Sequence, residues 1–295
     1  MKKTTKLRRL LKKPGIVVTP GAYDAISARI LEDAGFEAIA ITGGGISRSK
    51  CISDTGLLTM TEVLDQTRFI CDAVKIPVVA DCDTGYGNAI NLIRTVKEFE
   101  RAGVAGFFFE DQETPKKCGK YAGIKLISPE EMIKKIQACV DTRTDPDLLV
   151  IARVMAGPME GVKGVIKRGN AYARAGADVI KVRGLKSIEE MRKVAQNIDC
   201  VLGINWPEIQ GKSFEDLKPV PGIKNADDLA KLGYKMLSFP SDMMRAAMMA
   251  MMEAAAALRK EGTMEPYAHR QVRFADRERL IGTYELQELE EKYLM

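Results

Sequence analysis

A chain of 295 residues holds about two average domains or one large α/β barrel. It is 46% hydrophobic and 29% charged with 25 glycines, which supports a sizeable core and excludes a disordered chain. The net charge of +5 originates in the first 13 residues, whose seven Lys and Arg leave 38 bases against 40 acids elsewhere, so the body has no field for tracking a nucleic-acid backbone.

The basic arm sets Leu7, Leu10 and Leu11 on one helical face between charges. That pattern is not the unbroken apolar core of a secretory peptide, and the charges read as a solvated face. A first strand is predicted at 16–20. One pattern then recurs four times: a charged helix end, a glycine, and a short apolar strand with a polar or sharp end. It occupies residues 31–44, 100–111, 173–184 and 231–241. Gly35, Gly103, Gly176 and Gly233 stand where a helix stop needs positive φ. Their separations of 68, 73 and 57 residues leave room for one more strand in each interval, and 76–83, 148–154 and 200–205 supply them. Eight short, nearly continuous apolar runs alternating with helical stretches predict parallel strands buried on both faces, hence a (β/α)8 TIM-type barrel. A doubly wound sheet is the alternative, but no Gly-rich phosphate fingerprint follows the first strand.

Beyond the barrel, a Met- and Ala-rich helix is expected from a Ser241 cap to about Lys260, with Gly262 as its stop. Arg245 and Glu253 interrupt it, so it is no membrane span. A second tail helix is expected at 283–294. The division is a barrel with helical arm over 1–262 and a helical tail over 263–295, the appended helix packing on a neighbouring subunit. Six cysteines without a C-x-x-C pair suit reduced thiols in a soluble, cytoplasmic protein. A single histidine, His269, removes Ser-His-Asp hydrolysis and His-rich zinc sites, so any metal would be held by oxygen.

Barrel enzymes carry their reacting groups at strand carboxyl ends. Those positions here read Thr42-Gly43-Gly44, Asp81 and Asp83, Glu110 and Asp111, Arg153, Lys181 and Arg183, and Asn205. Alternation along a strand would send Asp81 and Asp83 to one side. Carboxylates gathered on neighbouring strands repel unless a cation joins them, and oxygen ligands with waters suit Mg²⁺. The bland alternative makes them ordinary strand-end and cap residues. Cys118 lies among Lys116, Lys117 and Lys120, where ammonium groups would favour a thiolate or neutralise nearby acids.

Residues 79–123 (VADCDTGYGN…EDQETPKKCG) resemble the isocitrate lyase/phosphoenolpyruvate mutase superfamily, nearest its methylisocitrate lyase and dimethylmalate lyase branch. Supporting segments are PGAYDAISAR at 20–29, TGGG at 42–45, SDTGLLT at 53–59 and SDMMRAA at 241–247. The resemblance implies a (β/α)8 barrel with a helix swapped between subunits, commonly in a tetramer. It implies Mg²⁺, or Mn²⁺, near Asp81, Asp83 and Glu110 with Asp54 nearby. It further implies that Cys118 is the mobile-loop acid/base and that Arg153 serves catalysis. Thr42, Gly43, Gly44, Lys116, Gly119, Arg183 and Asn205 would bind a small carboxylate substrate. The implied activity is Mg²⁺-dependent carbon–carbon cleavage of a small 2-hydroxy di- or tricarboxylate to a 2-oxo acid plus a carboxylate. Rival readings are a decarboxylase of oxaloacetate type and a carboxylate-binding barrel without turnover.

The mouth departs from the family pattern at five places: Lys120, Met155, Arg183, Trp206-Pro207 and Ala40. Arg183 stands where the family has a glutamate. It would either replace the metal between Asp81 and Asp83, or pair with Glu189 or Glu208 at the rim.

Overall fold

The computed structural model describes all residues except Lys120, Ala122, 211–216 and Met295. The chain opens with helix α1 (Lys3–Lys12) and strand β1 (Val17–Ala22), then runs α2 (Ala25–Asp33), β2 (Ile39–Ile41), α3 (Gly43–Ser49), α4 (Met60–Ala73) and β3 (Val78–Asp81). It continues α5 (Ala89–Arg101), β4 (Gly106–Glu110), α6 (Pro129–Thr142), β5 (Leu149–Val154), α7 (Gly157–Arg174), β6 (Val179–Val182), α8 (Ile188–Asn197) and β7 (Val201–Asn205). A small antiparallel hairpin, β8 (Glu208–Gln210) with β9 (Leu217–Pro219), precedes α9 (Ala226–Lys231) and β10 (Tyr234–Phe239). The tail holds α10 (Asp242–Glu261), α11 (Phe274–Ile281) and α12 (Thr283–Tyr293).

Strands β1–β7 and β10 pair in parallel and close into a barrel, with β1 hydrogen-bonded to both β2 and β10. All eight predicted strands are present; only the β8–β9 hairpin was not foreseen. The four repeat glycines take φ of 89°, 85°, 106° and 103°, so each stops its helix in a conformation costly for other residues. Helix starts are written in the sequence as well. Asp24 accepts the Ser27 amide at 2.8 Å, and Thr59 and Asn88 open capping boxes of their own.

Two apolar layers hold the fold. One lies between strands and helices; the other fills the barrel with Ala38, Val79, Phe108, Leu149, Ile151, Val179 and Met236, together with Leu7, Leu10 and Leu11 of α1. The arm therefore plugs one end of the barrel. Its basic side is not simply solvated: Lys3 donates to the Cys71 carbonyl at 2.6 Å, and Arg8 reaches the Pro146 carbonyl and Asp178, each at 2.9 Å. Three leucines anchor the helix, which brings those cations against the rim.

Helix α10 begins at the opposite end, beside the mouth. Ser241 holds the cap position without a side-chain cap bond, and Gly262 stops the helix at φ 67°. Met248, Met249, Met251 and Met252 are exposed in the single chain. Helix α11 returns to α2 through an Arg279–Asp33 pair at 2.6 Å. No helix among the described residues is long and apolar enough to cross a membrane.

Candidate active site

The carboxyl ends of the strands open onto a cavity of about 320 Å³. Of the residues expected there, Thr42, Gly44, Asp54, Asp81, Glu110, Lys116, Cys118, Gly119, Arg153, Arg183 and Asn205 line it. Gly43 and Asp83 stand immediately behind. The Gly43 amide donates to Asp81 Oδ2 at 3.3 Å, and the Asp83 amide to Asp81 Oδ1 at 3.1 Å. Thr42 accepts the Gly45 amide at 3.1 Å and so starts α3. The Asn205 side-chain Oδ1 is buried with no hydrogen-bond partner among the described residues.

Asp81 and Asp83 converge, though not by strand alternation. The strand ends at Asp81, and Asp83 adopts a left-handed φ of 48°. A methyl group on Gly43 would lie 3.2 Å from Asp81 Oδ2 and 3.5 Å from Asp83 Oδ1, so both carboxylates face that glycine. Asp111, by contrast, points away from the mouth. It accepts the Met155 amide at 2.7 Å and the Tyr172 hydroxyl at 2.8 Å, and Arg168 lies 3.3 Å away, which makes it a scaffold residue between β4 and α7.

The cations are distributed differently from expectation. Lys116 Nζ, not Arg183, sits between acids, 2.5 Å from Asp54 Oδ1 and 2.9 Å from Asp83 Oδ1. Arg153 holds Glu110 at 3.1 Å, and Gln112 donates to the other Glu110 oxygen at 2.7 Å. Asp54 and Asp83 share Lys116 while Glu110 takes Arg153, and no group of three or more acidic, Cys or His side chains among the described residues converges enough to enclose a metal by itself. Arg183 instead lies under the loop. A methyl on Gly119 would fall 2.3 Å from its Nε, so this close approach requires glycine. Burial and repulsion from Arg153 lower the Arg183 guanidinium below its ordinary range, against the attraction of Cys118, Glu110 and Glu208.

The electrostatics follow from burial and these pairings. Burial would raise the Asp54 carboxyl, but Lys116, Arg48 and Arg153 outweigh it and hold the group below its ordinary range. Asp83 is pushed up to about 6 by burial and by its acidic neighbours Asp81 and Asp54, against the pull of Lys116. Burial raises Glu110 to about 7 despite Arg153 and Lys116. These acids sit where a positive charge is in demand.

Cys118 is partly exposed on the loop after β4, its amide donating to the Asp54 carbonyl at 3.2 Å. Two of the three lysines expected around it lie within the described residues. Lys116 turns to Asp54 and Asp83, Lys117 Nζ lies beside Gly123, and Lys120 falls outside the described residues. The Arg153 and Arg183 guanidiniums line the same cavity as the thiol.

Three features went unassigned in the sequence. Gln112 ties the loop to the site by exchanging hydrogen bonds with the backbone of Lys117 at 2.9 and 3.0 Å while holding Glu110. Trp206 stacks on Phe239 at 5.3 Å and walls the cavity. Lys181 rises from β6 into the barrel, 3% exposed, donating to Ser238 Oγ at 3.0 Å and lying 4.2 Å from the Phe108 ring centre. Burial, with repulsion from Arg153 and Arg183, lowers it to about 7. Alternation on β6 puts Lys181 on the same side as Arg183, which was the available signal.

Comparison with known proteins matches this chain in sequence and in fold. The family model described as phosphoenolpyruvate phosphomutase matches residues 7–259. The chain is 39% identical over 294 residues to a 2,3-dimethylmalate lyase of Eubacterium barkeri, covering 99% of each chain. It is 40% identical over 259 residues to a 2-methylisocitrate lyase of Aeropyrum pernix, covering 88% of this chain and 80% of that one. Among solved structures, a phosphoenolpyruvate phosphomutase from Streptomyces platensis subsp. rosaceus superposes with a TM-score of 0.91 at 31% identity over 99% of both chains. A phosphonopyruvate hydrolase complexed with oxalate and Mg²⁺ superposes with a TM-score of 0.88 at 28% identity over the whole of both chains. By sequence, by fold and by the motifs at its barrel mouth, the chain belongs to the phosphoenolpyruvate mutase/isocitrate lyase superfamily.

Proposed function

We propose that this protein is a carbon–carbon lyase that cleaves a small 2-hydroxy di- or tricarboxylate, of dimethylmalate or methylisocitrate type, into a 2-oxo acid such as pyruvate and a carboxylate. The observation that carries this reading is a loop thiol, Cys118, lining the same cavity as Arg153, Asp81 and Glu110. Breaking the bond beside the hydroxyl carbon leaves the electron pair on a carbon next to a carboxylate. Cys118 delivers the proton to that carbon while Arg153 holds the substrate oxygens where charge grows. The hydroxyl proton passes to the carboxylates around Lys116. The backbone at Thr42, Gly43 and Gly44 and the Asn205 amide bind the 2-oxo acid end, and Gly119 lets the loop lie flat on Arg183.

A divalent cation fits the chemistry of the donors. Mg²⁺ needs only one or two carboxylates beside water and substrate oxygens, and the buried Asp83 Oδ1 lacks a well-aligned hydrogen bond. Asp81 and Asp83 would hold the ion, with Glu110 and Asp54 behind them; Mn²⁺ suits the same oxygens. When bound, the ion supplies a positive charge that polarises the carbonyl or alkoxide oxygen. The uncovered methionine face of α10 supports assembly with further copies of this chain, a tetramer with exchanged tail helices. Six free cysteines without a disulfide support a soluble enzyme of the cytoplasm.

Incubation with a panel of 2-hydroxy acids and Mg²⁺ tests the reading through release of pyruvate or glyoxylate. At least one acid is expected to yield product, whereas a flat trace throughout would leave a carboxylate-binding barrel. Release of CO₂ from a 2-oxo acid without chain cleavage would identify a decarboxylase instead. Calorimetric titration with Mg²⁺ is expected to give binding to the native protein that Asp83→Ala abolishes.

A further inference from the structure

We infer that Lys181 forms the floor of the cavity and binds an additional carboxylate of the substrate, which selects a tricarboxylate over a dicarboxylate. This rests on the lyase reading for the words substrate and product, but not for the binding itself.

Two other basic groups of the mouth, Lys116 and Arg153, are already matched to acids at close range. Lys116 has Asp54 and Asp83, and Arg153 has Glu110; farther out, Arg168 has Asp111 and Glu160. Lys181 differs. It is 3% exposed, and its side-chain hydrogen bond among the described residues goes to a hydroxyl; Asp81 and Glu110 attract it without outweighing its burial. Its neighbours are the Ser238 hydroxyl, itself 2.8 Å from the Thr19 hydroxyl, and the face of Phe108. An ammonium has three N–H donors, and a lone buried charge is expensive unless a counter-ion meets it. Since Lys181 lines the cavity, a bound anion can supply that charge.

The barrel also makes room for the group. Across the strand pair Lys181 faces Gly203, where a methyl would lie 3.6 Å from the Lys181 Cγ, so the long side chain crosses an interior that a larger residue would occupy. On the other side it pairs with Arg153, which reaches the same Phe108 ring at 5.8 Å. An acid held by Arg153 therefore has a second cation beneath it. A dicarboxylate uses its two carboxylates at the mouth; a branch carrying a third reaches the floor.

Calorimetry with two acids that cannot be cleaved isolates this contact. Tricarballylate carries a carboxylate on its middle carbon, and glutarate does not. Native protein in Mg²⁺ buffer is expected to bind tricarballylate at least about tenfold more tightly, the scale of one hydrogen-bonded ion pair. Lys181→Met should erase that margin and leave glutarate within about twofold, and Lys181→Arg should restore part of it. Equal native affinities for the two acids, or a margin that survives in Lys181→Met, overturns the assignment. If neither variant folds, the native comparison alone decides. Absence of turnover of every 2-hydroxy acid by the native protein, with a native margin that Lys181→Met erases, would sink the lyase reading and leave the floor site standing.

Discussion

At the closed end of the barrel, Val79, Phe108, Ile151 and Val179 point inward and meet Leu7, Leu10 and Leu11 of α1. Two residues further along the same four strands, the inward positions are Asp81, Glu110, Arg153 and Lys181. One alternation of side chains thus builds both ends. The lower set is removed from water at a gain of about 25 cal/mol per Å² of apolar surface. The upper set is removed from water at a cost, visible in the Glu110 carboxyl raised to about 7 and the Lys181 amine lowered to about 7. The lower end supports the fold, and the upper end holds unbalanced charge ready for a ligand.

The contrast breaks first at the plug. Leu7 is fully buried, so Leu7→Ala should lower stability by about 2–5 kcal/mol in urea unfolding while affinity for a carboxylate stays within about twofold. A large affinity loss in the still-folded variant would mean the two ends are not separate. At the mouth the sign should reverse. Lys181 titrates near 7 in the fold against an ordinary 10.5, so the folded protein binds fewer protons between those values and the strain is fully present below pH 7. Lys181→Met should therefore be more stable than native by about 1–3 kcal/mol at pH 6, with the gain fading as pH rises from 7 towards 10.5. A variant less stable than native at pH 6 would show that the ammonium is well accommodated without a ligand. The smallest effect belongs to the outer surface. The Lys13–Glu37 pair, at 3.3 Å with both partners exposed, should change stability by less than about 0.5 kcal/mol in Lys13→Ala.

Much of the barrel was legible because its signals are local. Gly35, Gly103, Gly176 and Gly233 punctuate the helices, and apolar runs mark each strand. The arm's leucines were visible as a face, but what they cover is set by closure of the barrel, which gathers residues over 200 apart, such as Leu7 and Met236, into one buried cluster. The site was legible as a list and not as a pairing. Residue order brings Asp54, Asp83 and Lys116 to the mouth; only the folded loop decides that Lys116, and not Arg183, lies between the acids. Asp111 shows the same limit, since one step along β4 turns it outward to Arg168 and Tyr172. The β8–β9 hairpin was missed because its strands are three residues each, too short for periodicity to show.

The proton donor is the claim on which the chemistry rests. Once a cleaved 2-hydroxy acid is identified, steady-state release of the 2-oxo acid by Cys118→Ser tests it. The expected result is a fall in kcat of at least about 100-fold, with KM within a few-fold and an unchanged melting temperature. Turnover by Cys118→Ser within about threefold of native would contradict it.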